Sequence, residues 1–165
     1  MKLTDAQKLK YYQNKELAKA LILQDAMEDG HIIHGAQAVN AQLPVHLQKH
    51  TEDFDIYAKG SEKQAKQMEK KLDKAYDGDY FRVEKGRHKG THKVKSNVTN
   101  KTVADYTSQG KKPKSITIMG NKFATLSAMK GKIRKTLRDE KQAFRWDKDR
   151  EVLQRIQLNE GALDW

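Results

Sequence analysis

The chain has 165 residues, a length that suits one domain over 1–165, with 33% charged and 36% hydrophobic residues. Lys and Arg (33) outnumber Asp and Glu (22) for a formal net charge of +11, which favours polyanionic partners such as nucleic acid, nucleotides or an acidic surface. The absence of cysteine excludes disulfides, thiolate zinc sites and cysteine nucleophiles, and no apolar run approaches the ~18 residues that would span a membrane.

Met1-Lys2-Leu3-Thr4-Asp5 has no apolar stretch, so no secretory leader is expected. Thr4-Asp5-Ala6-Gln7 has the form of a capping box and predicts an amino-terminal helix over 4–29, ended by Gly30. A short strand follows at His31-Ile32-Ile33-His34, then a helix from Ala36 to Leu43 closed by Pro44. Asp53-Phe54-Asp55-Ile56-Tyr57 alternates acidic and apolar residues, the period of a strand with two unlike faces. Ser61-Glu62-Lys63-Gln64 reads as a second capping box, opening a helix through Met68, Leu72 and Ala75.

Strands are predicted over 80–83, 92–98 and 102–106, with a turn at Thr99-Asn100, and a further short strand around Ile116–Met119. Two helices, about Phe123 to Leu137 and Arg145 to Leu158, complete a core of about 30–120 with helical ends, and Trp165 is expected as a loose terminus. This order predicts an α+β domain: a small mixed β-sheet flanked by helices, with a helical carboxy-terminus.

Of three Asp-x-Asp triplets, Asp77-Gly78-Asp79 is a turn, and Asp147-Lys148-Asp149 lies on a helix, where residues two apart diverge. Asp53 and Asp55 differ, because strand residues i and i+2 share a face. Two adjacent carboxylates repel, and a divalent cation, Mg²⁺ or Mn²⁺, offers oxygen ligands a common partner. The plainer reading is an exposed strand end. Asp105, within Val103-Ala104-Asp105-Tyr106, supplies a third strand carboxylate, and three such groups suit two-metal phosphoryl or nucleotidyl transfer. Gly35, between a strand and a helix, would let backbone N–H groups approach a triphosphate.

Ile32-Ile33-His34-Gly35-Ala36, Thr51-Glu52-Asp53-Phe54-Asp55-Ile56 and Val103-Ala104-Asp105-Tyr106 together resemble the DNA-polymerase-β-like nucleotidyltransferase superfamily. The likeness is strongest to its minimal, toxin-type (abortive-infection) members. The resemblance spans about 30–158, including the tail Arg145-Trp146-Asp147-Lys148-Asp149-Arg150-Glu151-Val152-Leu153. It implies a nucleotidyltransferase fold, with Asp53, Asp55 and Asp105 as catalytic and metal-holding residues. It also implies nucleotide binding at Gly35, Ala36, Lys49 and Thr51, and an antitoxin or a second copy as partner. The implied reaction moves an NMP from an NTP to a hydroxyl of an RNA or protein acceptor. Ala36 stands where the family commonly has Ser or Gly, so a phosphate-binding hydroxyl is missing.

From Arg82 to Lys114, ten basic residues face only Glu84 and Asp105. Lysines there, Lys93 among them, would neutralise pyrophosphate or track a nucleic-acid backbone, RNA rather than DNA; singly, they would serve as guards of a strand edge. Lys130, Lys132, Arg134, Lys135 and Arg138 form a second basic cluster on an amphipathic helix. The sequence therefore supports a transferase located in the cytoplasm or with a virion. The alternative is a non-catalytic basic protein of the same fold that binds nucleic acid, acts structurally or meets an acidic protein.

Overall fold

The computed structural model describes residues 2–161; Trp165 lies outside them. Helix α1 (Asp5–Gln13) begins with the expected capping box, Gln7 N donating to Thr4 Oγ1 at 3.1 Å and Thr4 N to Gln7 Oε1 at 2.9 Å. The single helix expected over 4–29 is two: α2 (Lys15–Asp29) starts after a break at Asn14. The hydroxyl of Tyr76 fills that break, donating to Asn14 O at 2.5 Å and accepting from Ala18 N at 3.2 Å. The apolar spacing of Leu9, Tyr12, Leu17, Leu21 and Met27 reads through the break, yet Leu9, Tyr12, Leu17 and Met27 are exposed and Tyr11, Ala18 and Ile22 turn inward. The partner that compensates the break comes from a distant segment.

Strand β1 (Ile32–His34) runs directly into α3 (Gly35–Ala41), and a 3-10 turn (Val45–Leu47) precedes β2 (Phe54–Tyr57). Helix α4 (Ser61–Tyr76) lacks the capping box expected at Ser61. Gly60 is its cap, and Ser61 is buried, with its Oγ on Gly90 O at 2.8 Å and 3.0 Å from His92 Nδ1. The strand expected over 80–83 runs as β3 (Phe81–Lys85), since Asp73 Oδ1 accepts from both Tyr80 N and Phe81 N. Then come β4 (Thr91–Ser96), β5 (Thr102–Thr107) and β6 (Ser115–Ile118).

The helix expected from Phe123 starts later. Asn121–Ala124 form strand β7, Phe123 lying beside Ile33 in parallel pairing, and Thr125 caps α5 (Leu126–Thr136). Phe123 and Ala124 fit an apolar helix face equally well by local spacing, and the open edge of β1 decides for the strand. A 3-10 segment (Glu140–Arg145) leads into α6 (Trp146–Asn159).

The sheet order is β3-β4-β5-β2-β1-β7-β6, with β2–β5 and β1–β7 parallel and the other pairs antiparallel. One face packs on α1, α2 and α4, where Tyr11, Tyr76, Tyr80 and Phe81 form an aromatic cluster. The other packs on α3, α5 and α6 over its β1 and β7 half, through Ile32, Val39, Ala124, Met129 and Ile156. This is the α+β arrangement expected: a mixed sheet flanked by helices and ending in helices. Among the described residues no helix is long and apolar enough to cross a membrane.

Candidate active site

Phe54 and Ile56 are buried, which turns Asp55 to the opposite face of β2; Asp53, expected within the strand, lies one residue before it. Strand pairing then sets three residues in a row: His34 of β1 is opposite Asp55, and Asp55 is opposite Asp105 of β5. Asp53, Asp55 and Asp105 line one cleft of about 500 Å³, together with Gly35, Ala36, Lys132, Arg145 and Lys148.

Burial, then the negative charges of Asp53 and Asp105, push the Asp55 carboxyl up to about 6; Lys132 and Lys148 act in the opposite direction. Asp105 is also raised, by burial first, against the pull of Lys93, whose Nζ lies 3.5 Å from Asp105 Oδ2. Asp105 Oδ1 is buried without a partner. Thr51 Oγ1 lies 3.4 Å from Asp53 Oδ1, and Gln37 Nε2 donates to Asp53 O at 3.1 Å. His34 is neutral: burial, reinforced by Lys132, lowers it to about 3, and its Nε2 is sealed without a partner.

A divalent cation fits this donor set in kind: carboxylate oxygens, one buried without a partner, on two acids raised first by burial and further by acidic neighbours. The trio is nevertheless spread along the cleft. Among the described residues, the acidic and imidazole groups drawn within 4.8 Å of one another are Asp25, Asp29 and His31, and Glu69, Asp73 and Asp79. Asp25 is already ion-paired with Lys71, and Asp73 is engaged by two backbone N–H groups.

Of the residues singled out in the sequence, Gly35, Ala36, Thr51, Asp53, Asp55 and Asp105 come together. Lys93 reaches them through Asp105. Lys49 does not line this cleft; its Nζ lies 3.4 Å from Glu151 Oε2 and its backbone N–H is held by Asn40 Oδ1 at 3.1 Å. The sequence reading did not assign Lys132 or Lys148 to the site. Lys148 lies between two helical aspartates of unlike fate, Asp147 exposed and Asp149 buried against Arg145. Helical phase separates those two aspartates, but only the docking of α5 and α6 brings their lysines to the carboxylates.

No protein-family model matches the chain, nor does any curated protein sequence. Among solved structures, the crystal structure of the Megavirus polyadenylate synthase superposes on 93% of this chain with a TM-score of 0.72 and 16% sequence identity. The chain spans 33% of that protein's length. At this identity the likeness is one of fold, a nucleotidyltransferase-like fold.

Proposed function

We propose that the protein is a nucleotidyltransferase that moves an NMP from an NTP to a hydroxyl of an RNA or protein acceptor and releases pyrophosphate. The observation that carries this reading is that Asp53, Asp55 and Asp105 line one cleft with Gly35 in a nucleotidyltransferase-like fold.

Asp53, Asp55 and Asp105 would hold Mg²⁺ or Mn²⁺, which supplies positive charge to the phosphates and to the attacking and leaving oxygens. Asp105 would hold the ion that activates the acceptor hydroxyl, or itself take the proton of that hydroxyl, as its oxygen bonds to the α-phosphorus and the bond to pyrophosphate breaks. Lys93 orients the Asp105 carboxylate through Oδ2. Backbone N–H groups at Gly35 and Ala36 would meet the phosphates, and Lys132 and Lys148, which line the same cleft, would oppose the departing negative charge. Thr51 steadies Asp53. The toxin-type likeness extends the proposal to an antitoxin partner or self-association, and to a cytoplasmic or virion-associated setting.

Incubation with each labelled NTP, Mg²⁺ or Mn²⁺, and pooled RNA and protein acceptors tests the reading. Label transfer that disappears in Asp53→Ala is the expected result. The spread of the trio and the missing hydroxyl at Ala36 favour the second reading, a non-catalytic basic protein; nucleic-acid binding without transfer by the wild type would decide for it.

A further inference from the structure

The β3–β4–β5 half of the sheet is sided in charge as well as in packing. Its inner face, with Phe81, Val94 and Ala104, is buried toward α4. Its outer face is the one that carries Asp105, and cross-strand register sets Lys93 beside Asp105, Glu84 beside Lys93, and Arg82 beside Lys95. These side chains stay between 28% and 43% exposed, except Asp105 at 20%. The helices on that side of the sheet lie over β1 and β7, so the face runs from the cleft to the β3 edge.

Directly opposed like charges destabilise a strand pair, yet Arg82 faces Lys95. A single carboxylate, Glu84, serves both, at 3.4 Å from Arg82 Nε and 3.1 Å from Lys95 Nζ. Guarding an edge would need only one lysine on β3. Arg82 and Lys95 face each other across β3 and β4, and Lys93 lies two residues along β4 beside Asp105, so the three cations make a bent path with steps of ~5 Å across strands and ~6–7 Å along one, a spacing that suits successive phosphates of an extended strand.

We infer that this open face is the track of a single-stranded polynucleotide acceptor, its phosphates over Arg82, Lys95 and Lys93 and its terminal hydroxyl at Asp105. This rests on the proposed transfer reaction for the role of Asp105, but the binding itself does not. Charge complementarity selects the occupant: Arg82, Lys93 and Lys95 outnumber Glu84 and Asp105 on the outer face, which leaves it net positive toward a polyanion.

The test is fluorescence anisotropy of a 5′-labelled single-stranded oligoribonucleotide across a salt series. Three phosphate contacts give a log–log salt slope of about −2, at ~0.7 per contact. Arg82→Gln with Lys95→Gln should flatten that slope by about 1.4 and weaken low-salt binding roughly tenfold. Lys66→Gln with Lys70→Gln, on the exposed side of α4, should leave both unchanged. Circular dichroism melts establish that the variants fold, and Lys95→Gln alone should give half the slope change if the pair does not. Equal losses in the two double variants, or no strand binding by the wild type, would overturn the track. Strand binding by a wild type that transfers nothing leaves the track standing and removes the transferase reading; transfer to protein without strand binding does the reverse.

Discussion

The absent side chain of Gly35 is the space that the Asp55 carboxylate occupies: a Cβ on Gly35 would stand 2.1 Å from Asp55 Oδ2 and 2.9 Å from its Cγ. Gly35 also has φ +65°, in the left-handed region. Two independent demands for glycine thus meet at the residue that joins β1 to α3, and both bear on one carboxylate. Gly35→Ala is therefore expected to cost about 1–3 kcal/mol in urea unfolding from backbone strain and to remove label transfer. Wild-type stability with full transfer would mean that Asp55 has another place to sit.

Asp55 carries a pH-dependent penalty. Its folded-state value, about 6, lies above the ordinary 3.8, so the folded protein binds the proton more tightly than the unfolded chain does. That contribution favours folding below the unfolded value and is lost as pH rises through about 6. Asp55→Asn should then stabilise the cation-free protein at pH 8, by at most about 3 kcal/mol, with the gain vanishing near pH 4, while abolishing transfer. Urea titrations at the two pH values measure it. Mg²⁺ should raise the Tm of the wild type and not of Asp55→Asn.

His34 has the opposite sign. Its folded value, about 3, lies below 6.5, so the unfolded chain gains a proton first and stability falls as pH drops between those values. His34→Gln should flatten the acid limb of the stability curve over that window. An unchanged limb would show that the ring is charged in the fold, with Lys132 moved aside.

Tyr76 closes the break between α1 and α2 with one hydroxyl that serves both Asn14 O and Ala18 N. Tyr76→Phe leaves the ring packing in place and orphans Ala18 N, while Asn14 O keeps Leu17 N at 3.1 Å, a cost of about 1–3 kcal/mol. Amide exchange at Ala18 should accelerate more than exchange at Ile22, which lies a turn further into α2.

How much of this was legible in the chain depends on the range of the forces involved. The alternation at Asp53–Tyr57 announces the carboxylate face because strand geometry alone sends i and i+2 to one side. Thr4 announces the start of α1 because capping is settled within four residues. The same rule misleads at Ser61, whose hydroxyl is claimed by Gly90 from another segment.

Local pattern by itself determined the charge, the strand that carries Asp55 with Asp53 just before it, and an α+β order of elements, since these follow from backbone periodicity and composition. The tertiary structure decided what no spacing encodes. The parallel pairing of β2 with β5 sets Asp105 beside Asp55, and the open edge of β1 takes Phe123 out of a helix and into β7. The docking of α5 and α6 turns Lys132 and Lys148 toward the carboxylates. Each of these depends on contacts between distant segments, where burial and unpaired backbone groups outweigh local preference.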